Sequence, residues 1–140
     1  MIKLFAITFL LCINAYAVEK VPPDIANSYK LIGVEKTLIG VAENMMSSQG
    51  KMVDSITQFV SASASGKTLS STFKIFKGKS ELNIYKLKKV MFKQSLSTIC
   101  GSPLLYFLIV EMGATYTLNY YDASNFFLFQ SNYTKSNCLS

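Results

Sequence analysis

Residues 95–121 read SLSTICGSPLLYFLIVEMGATYTLNYY, and the punctuation of this stretch decides the fold. Cys100-Gly101 closes whatever helix arrives there. Ser102 offers an N-cap hydroxyl, and Pro103 suits a first helical position, where no backbone N–H is needed. Leu104 to Met112 is apolar nearly all round, which implies a short helix buried on most sides. Gly113 supplies a left-handed stop. From Thr115 the chain alternates, with Tyr116, Leu118 and Tyr120 set against Thr115, Thr117, Asn119 and Tyr121, the period of a strand. The stretch therefore predicts a helix end, a hinge carrying a cysteine, a buried helix and a strand.

Outward from it, Asp122-Ala123-Ser124-Asn125 turns the chain and Phe126 to Tyr133 returns as the second arm of a hairpin. Upstream, Ser80 is placed to cap a long helix to about Ile99, with Leu82, Tyr85, Leu87, Met91, Leu96 and Ile99 on its apolar face. Before that, Asp54 to Ala64 and Thr68 to Phe76 flank a Ser65-Gly66-Lys67 turn and predict another hairpin. In it Thr57, Phe59 and Ser61 point one way, and Leu69, Phe73 and Ile75 share a face. Pro22 and Pro23 hold the preceding segment extended. Asp24 caps a helix to about Ser47, in which Gly33 and Gly40 suit close packing against a neighbour. The expected class is α+β: an N-terminal helix, a β-hairpin, a long helix plus a short buried one, and a C-terminal β-hairpin. The two hairpins form an antiparallel sheet with helices packed on one face.

The first residues have the grammar of a secretory signal: Lys3, then about ten largely apolar residues from Leu4 to Ile13, then Ala15-Tyr16-Ala17. That run is too short to span a bilayer core of about 30 Å. Cys12 follows a bulky Leu11, unlike a lipid-accepting cysteine, and cleavage near Ala17 removes it. Residues 1–17 are thus expected to be a signal peptide and residues 18–140 one α+β domain, exported to the periplasm or beyond. Cys100 and Cys138 are then the remaining cysteines, and in an oxidising compartment such a pair forms a disulfide. Two unpaired buried thiols are the alternative.

The formal net charge is +6, and all fourteen basic residues are lysines. With no histidine, Ser-His-Asp and Cys-His catalysis and histidine metal sites are excluded. With no arginine, no bidentate fork exists for a phosphate or carboxylate. The eight carboxylates show no spacing suited to paired acid–base work. Asp54, three residues before Thr57, has the pattern of a turn or cap device. Cys100 lacks an activating base. Ser65-Gly66-Lys67-Thr68 lacks the upstream glycine of a phosphate loop.

Met52-Val53-Asp54, Thr57, the glycine turn, the lysine-rich helix ending Ile99-Cys100-Gly101-Ser102-Pro103, Gly113-Ala114, Tyr120-Tyr121-Asp122 and Cys138 form a set. Over about Lys51 to Cys138 this set resembles a group of small exported proteins of Gram-negative bacteria, most of unassigned activity. They carry a C-terminal cysteine pair around a Tyr-rich hairpin. The chain departs from that group where an aspartate-glycine turn is usual, since Ala123-Ser124-Asn125 follows Asp122. The resemblance implies export, the α+β layout and the disulfide, and no particular activity.

Two surfaces remain as candidate sites. Tyr116, Tyr120, Tyr121, Phe126, Phe127, Phe129 and Tyr133 put bulky rings on both faces of the last hairpin, so an exposed aromatic patch for a protein or cell-envelope partner is expected, with Tyr116, Tyr120, Tyr121, Phe127 and Phe129 as its candidates. The alternative is a sheet covered on both faces. Lys86, Lys88, Lys89 and Lys93, with Lys74, Lys77 and Lys79 just before them, form a basic run suited to anionic envelope lipids. A solvated helix face is the alternative reading. A non-enzymatic binding protein with no cofactor, no metal and no nucleic-acid partner is the expectation.

Overall fold

The computed structural model describes residues 21–77 and 83–140. The expected signal peptide, the Ser80 cap, Leu82 and Lys79 lie outside the described residues. Among the described residues five helices, α1 (Pro23–Ile32), α2 (Val34–Met46), α3 (Ile84–Gly101), α4 (Pro103–Tyr106) and α5 (Lys135–Leu139), accompany four strands. The strands are β1 (Thr57–Ser65), β2 (Thr68–Ile75), β3 (Thr115–Asp122) and β4 (Phe127–Tyr133). They form one sheet in the order β1-β2-β3-β4. The class is α+β, with helices packed on a sheet.

Both expected hairpins are present, but the sheet is not wholly antiparallel: β2 and β3 run parallel down its centre, with Phe73 opposite Tyr120. The physical reason is the connection. A parallel pair needs a long crossover, and α3, α4 and the π-helical turn Phe107–Glu111 supply one between β2 and β3. On the inner face a rung of rings crosses every strand. Phe59 meets Phe73 at 5.7 Å, Phe73 stacks on Tyr120 at 5.5 Å, and Tyr120 stacks on Phe129 at 4.6 Å. Leu69, Ser71 and Ile75 join Phe73 inside, as β2's alternation requires. In β1 the register shifts between Phe59 and Ser61. Phe59 is therefore buried while Ser61 pairs with Thr72 and faces outward, against the expectation that the two share a face.

The N-terminal helix is two helices. Gly33 sits at φ 91°, a conformation that glycine adopts without the Cβ penalty, and it ends α1. Proline at the first helical turn starts α1, and Asp24 lies in that turn instead of capping it. Close packing at the glycines is corrected too: nothing lies within 4 Å of a Cβ placed at Gly33 or Gly40. For the described part of α3 the cap is Asn83, whose side chain accepts from Lys86 N at 3.1 Å. Leu87, Met91 and Ile99 are buried as expected, whereas Tyr85 is 80 % exposed.

The hinge forms as the sequence dictates. Leu105 N donates to Ser102 Oγ at 3.4 Å, Pro103 follows at the first helical position, and Gly113 lies at φ 76°. Leu104, Leu105, Phe107, Leu108 and Ile109 are buried, while Tyr106 faces out. Cys100 and Cys138 are joined in a disulfide with Cα atoms 5.3 Å apart, 38 residues apart in sequence. It pins α5 to the kink between α3 and α4.

Two stability outcomes are expected from this architecture. Cys100→Ser with Cys138→Ser lowers the unfolding free energy by up to about 4 kcal/mol, the chain-entropy value for a loop this long, read from denaturant titrations with and without the bond. Gly40→Ala, in a helix interior with open space at its Cβ, raises it by up to about 1 kcal/mol. An unchanged midpoint in the first or a fall in the second counts against these assignments.

Candidate functional site

The core claims part of the aromatic set. Tyr116 and Tyr120 are each 1 % exposed, and Phe129 is buried with them. This corrects the expectation that all five rings form a partner surface, because rings on the inner strand face are consumed by the helix layer. Tyr116 Oη shares a hydrogen bond with Ser71 Oγ at 2.9 Å. Tyr133 stacks on Phe92 of α3 at 5.0 Å. Burial pushes all three phenols up, the Tyr133 hydroxyl to about 12.

Tyr121 and Phe127 go the other way. They are register partners on β3 and β4 and meet edge to face at 5.5 Å on the open side of the sheet. Phe127 is 50 % exposed and Phe126 is 65 % exposed. The turn beneath them is rigid: Asp122 Oδ1 accepts from Ser124 N at 2.8 Å and from Phe126 N at 2.9 Å. Asn125 adopts φ 66°, the left-handed conformation that asparagine tolerates better than most residues. Here Asp122 and Asn125 do the work of the aspartate-glycine turn. Phe76, at the C-terminal end of β2, is also exposed at this end of the sheet. Sequence reasoning named Phe126 among the aromatic residues of the last hairpin but did not single out Phe76.

Asp54 is a turn device, as expected. Its Oδ1 accepts from Ile56 N at 2.8 Å and Thr57 N at 2.7 Å, setting the entry to β1. A larger concavity of about 410 Å³ lies beside the hinge, lined by Val21, Ala26, Cys100, Pro103, Tyr106 and Glu111 among others. Among the described residues no group of three His, Cys, Asp or Glu could hold a metal ion. Among them also, no helix is long and apolar enough to cross a membrane.

The lysines divide. Lys86, Lys88, Lys89 and Lys93 are all exposed on α3, which carries no carboxylate. Lys74 stands apart from them, half-buried on β2 and opposite Tyr121.

No family model matches this sequence, and no curated protein matches it. Solved structures do share its fold. A protein of Pseudomonas aeruginosa described as secreted has a TM-score of 0.67 at 14% identity, over 75% of this chain and 92% of that one. EpsS, a pilotin from the type II secretion system of Vibrio vulnificus, scores 0.65 at 11% identity, over 75% and 91%. AspS, the type II secretion system pilotin of Vibrio cholerae, scores 0.60 at 14% identity, over 75% and 92%. The chain is thus similar in fold to small secreted and pilotin proteins.

The buried phenols set an alkaline limit on the fold. Their folded pKa values lie above the ordinary value of 10.0, so the unfolded chain releases those protons first. Stability from this source is complete below pH 10 and declines as pH rises beyond it through about 12. Thermal melts across this range, with tyrosinate absorbance followed in parallel, should show Tm falling together with late tyrosine ionisation. Early titration of every tyrosine with Tm unmoved contradicts the burial.

Proposed function

We propose that this chain is a small exported, non-enzymatic binding protein that holds a protein partner of the cell envelope through the ring cluster of Tyr121, Phe126 and Phe127. The observation that carries this reading is the exposure of Phe126 and Phe127, beside Tyr121, next to a hydrogen-bonded turn. Exposed aromatic anchors on a rigid support lose little entropy on binding and dominate interface energies. The likeness in fold to two pilotins supports a role beside a secretion-system component as the specific form of this reading. Export, with residues 1–17 as signal peptide, rests on the N-terminal pattern and is consistent with the disulfide. The absence of histidine and arginine, and the lack of paired carboxylates, favour binding over catalysis. Neither nucleic acid nor metal belongs to this reading.

A second reading, peripheral binding to anionic envelope lipids through Lys86, Lys88, Lys89 and Lys93, is favoured by one observation. Lys86 lies in the first turn of α3 and Lys88 and Lys89 in the next, with no acidic residue in that first turn. Cations there oppose the helix dipole, a charge arrangement that stability alone does not explain.

The expected outcomes separate the two. Mature protein used as bait in envelope extract retains a specific partner. Phe126→Ala with Phe127→Ala lowers that retention at least about tenfold with Tm unchanged, since truncating two anchors typically removes more than one such factor. Charge reversal at Lys86, Lys88 and Lys89 leaves retention intact while raising Tm. Retention indifferent to the ring substitutions, or salt-sensitive vesicle binding lost on charge reversal, transfers the function to α3. Mass spectrometry of the exported product should find Val18 at its N-terminus.

A further inference from the structure

The open face of the sheet is polar, and some of its side chains are paired with one another or with the backbone. Thr117 Oγ1 donates to Asn132 Oδ1 at 2.7 Å, Gln130 Nε2 donates to Asn119 Oδ1 at 2.7 Å, and Gln58 Nε2 donates to Gly50 O at 2.8 Å. One end of the face is hollowed. A concavity of about 220 Å³ is lined there by Val60, Thr72, Lys74, Tyr121 and Asn125, with Phe73 behind them. Among the described residues the Lys74 ammonium, the Thr72 and Tyr121 hydroxyls and the Asn125 side-chain amide have no hydrogen-bond or ion-pair partner. Four polar groups of different chemistry therefore converge on one hollow beside an aromatic ring, and none is engaged by the protein.

We infer that this hollow is a binding site for an acidic sugar, a pyranose ring bearing a carboxylate. The volume is below the roughly 300 Å³ at which sites for drug-sized ligands begin, so the occupant is a single small unit. Lys74 supplies the one charge, and it attracts a carboxylate through a charge-assisted hydrogen bond. Thr72, Tyr121 and Asn125 supply donors and acceptors on flexible side chains, as a polyol needs, and the Tyr121 ring offers an apolar wall for the C–H face of the sugar. A peptide is the poorer fit. β2 and β3 are the two central strands, each paired on both sides, so their backbone groups are committed to the ladder. Sheets capture peptides through free edges, and here recognition must come from side chains alone. The hollow shares Tyr121 with the ring cluster proposed above but not Phe126, so Phe126→Ala separates a failure of one reading from a failure of the other.

The test uses isotopically labelled mature protein titrated with glucuronic acid and N-acetylmuramic acid, each against its neutral counterpart, glucose and N-acetylglucosamine. The two acids share the chemistry and come from different polymers, so the tighter one identifies the source. Backbone amide shifts are expected at Thr72, Lys74, Tyr121 and Asn125, with the better acid bound at least about tenfold more tightly than its neutral analogue, as one charge-assisted hydrogen bond implies. Lys74→Met removes that preference while the neutral sugars bind as before. Tyr121→Ala weakens acid and neutral sugar alike, and Phe126→Ala changes neither. The spectra of the variants report that each is folded. Shifts that map elsewhere, no shift at millimolar sugar, a preference that survives Lys74→Met, or equal binding of a simple dipeptide carboxylate would each overturn the inference.

Discussion

The rung Phe59–Phe73–Tyr120–Phe129 is the contact on which the sheet's geometry depends. Side chains on a strand alternate with period two, so a one-residue slip would turn every inward group outward. Four rings in edge-to-face and stacked contact across all the strands make such a slip expose several large apolar groups at once, each carrying roughly 1.5–3 kcal/mol of burial. The rung therefore fixes the opposite face as well. Phe73 inside puts Lys74 outside, and Tyr120 inside puts Tyr121 outside. The register shift between Tyr120 and Tyr121 brings Phe127 against Tyr121. Thr72, Lys74 and Tyr121 each lie one step along the chain from a ring held in the core.

That rung spans a seam which local sequence does not close. β2 and β3 pair in parallel only after the chain has run through α3, the hinge and the π-helical turn. Such non-local pairing bears its loop-closure entropy before any contact rewards it. The disulfide acts at this point of the topology. It joins the hinge inside the crossover to the residues just after β4, so the crossover and the outer strand of the second hairpin are tied together in the unfolded chain too. Ser102 and Pro103 define the kink, and Cys100 sits where the kink presents it to α5. In this way the punctuation of residues 100–103 bears on the pairing of strands that lie far from it in sequence.

Much of this was legible in the residues, for local reasons. Ser102, Pro103 and Gly113 act through their own backbones, and the alternation of Tyr116, Leu118 and Tyr120 expresses burial on one face. The cysteine pair was legible by count. What escaped depends on context outside the local window. Strand direction is set by what lies between hairpins, so the central pair could not be read as parallel from either hairpin alone. The shift after Phe59 reverses Ser61 without any glycine or proline to signal it. Gly33 read as a packing glycine because a positive φ leaves no trace in composition. The aromatic set divided by strand face, which required knowing which side the helices cover. Only the structure separated Tyr121 and Phe127 from Tyr116, Tyr120 and Phe129.

The placement of unpaired groups carries the argument about function further than the fold does. A protein tends to satisfy its buried polar groups, and on the open face Thr117 pairs with Asn132 and Gln130 with Asn119, whereas Lys74 and Tyr121 border a hollow without a hydrogen-bond partner among the described residues. Nothing in the fold requires a half-buried lysine there. The ladder would tolerate threonine or valine at that position equally well, and either has the higher strand preference. The rings at Phe126 and Phe127 are likewise dispensable to the core, since Phe129 and Leu128 already supply its share of β4. Residues that stability does not require, gathered at one end of a rigid sheet, are where recognition is to be sought. The lysines of α3 satisfy the first half of that criterion but are spread along an exposed helix face instead of gathered at one end of the sheet, and on that ground the sheet end comes ahead of the helix.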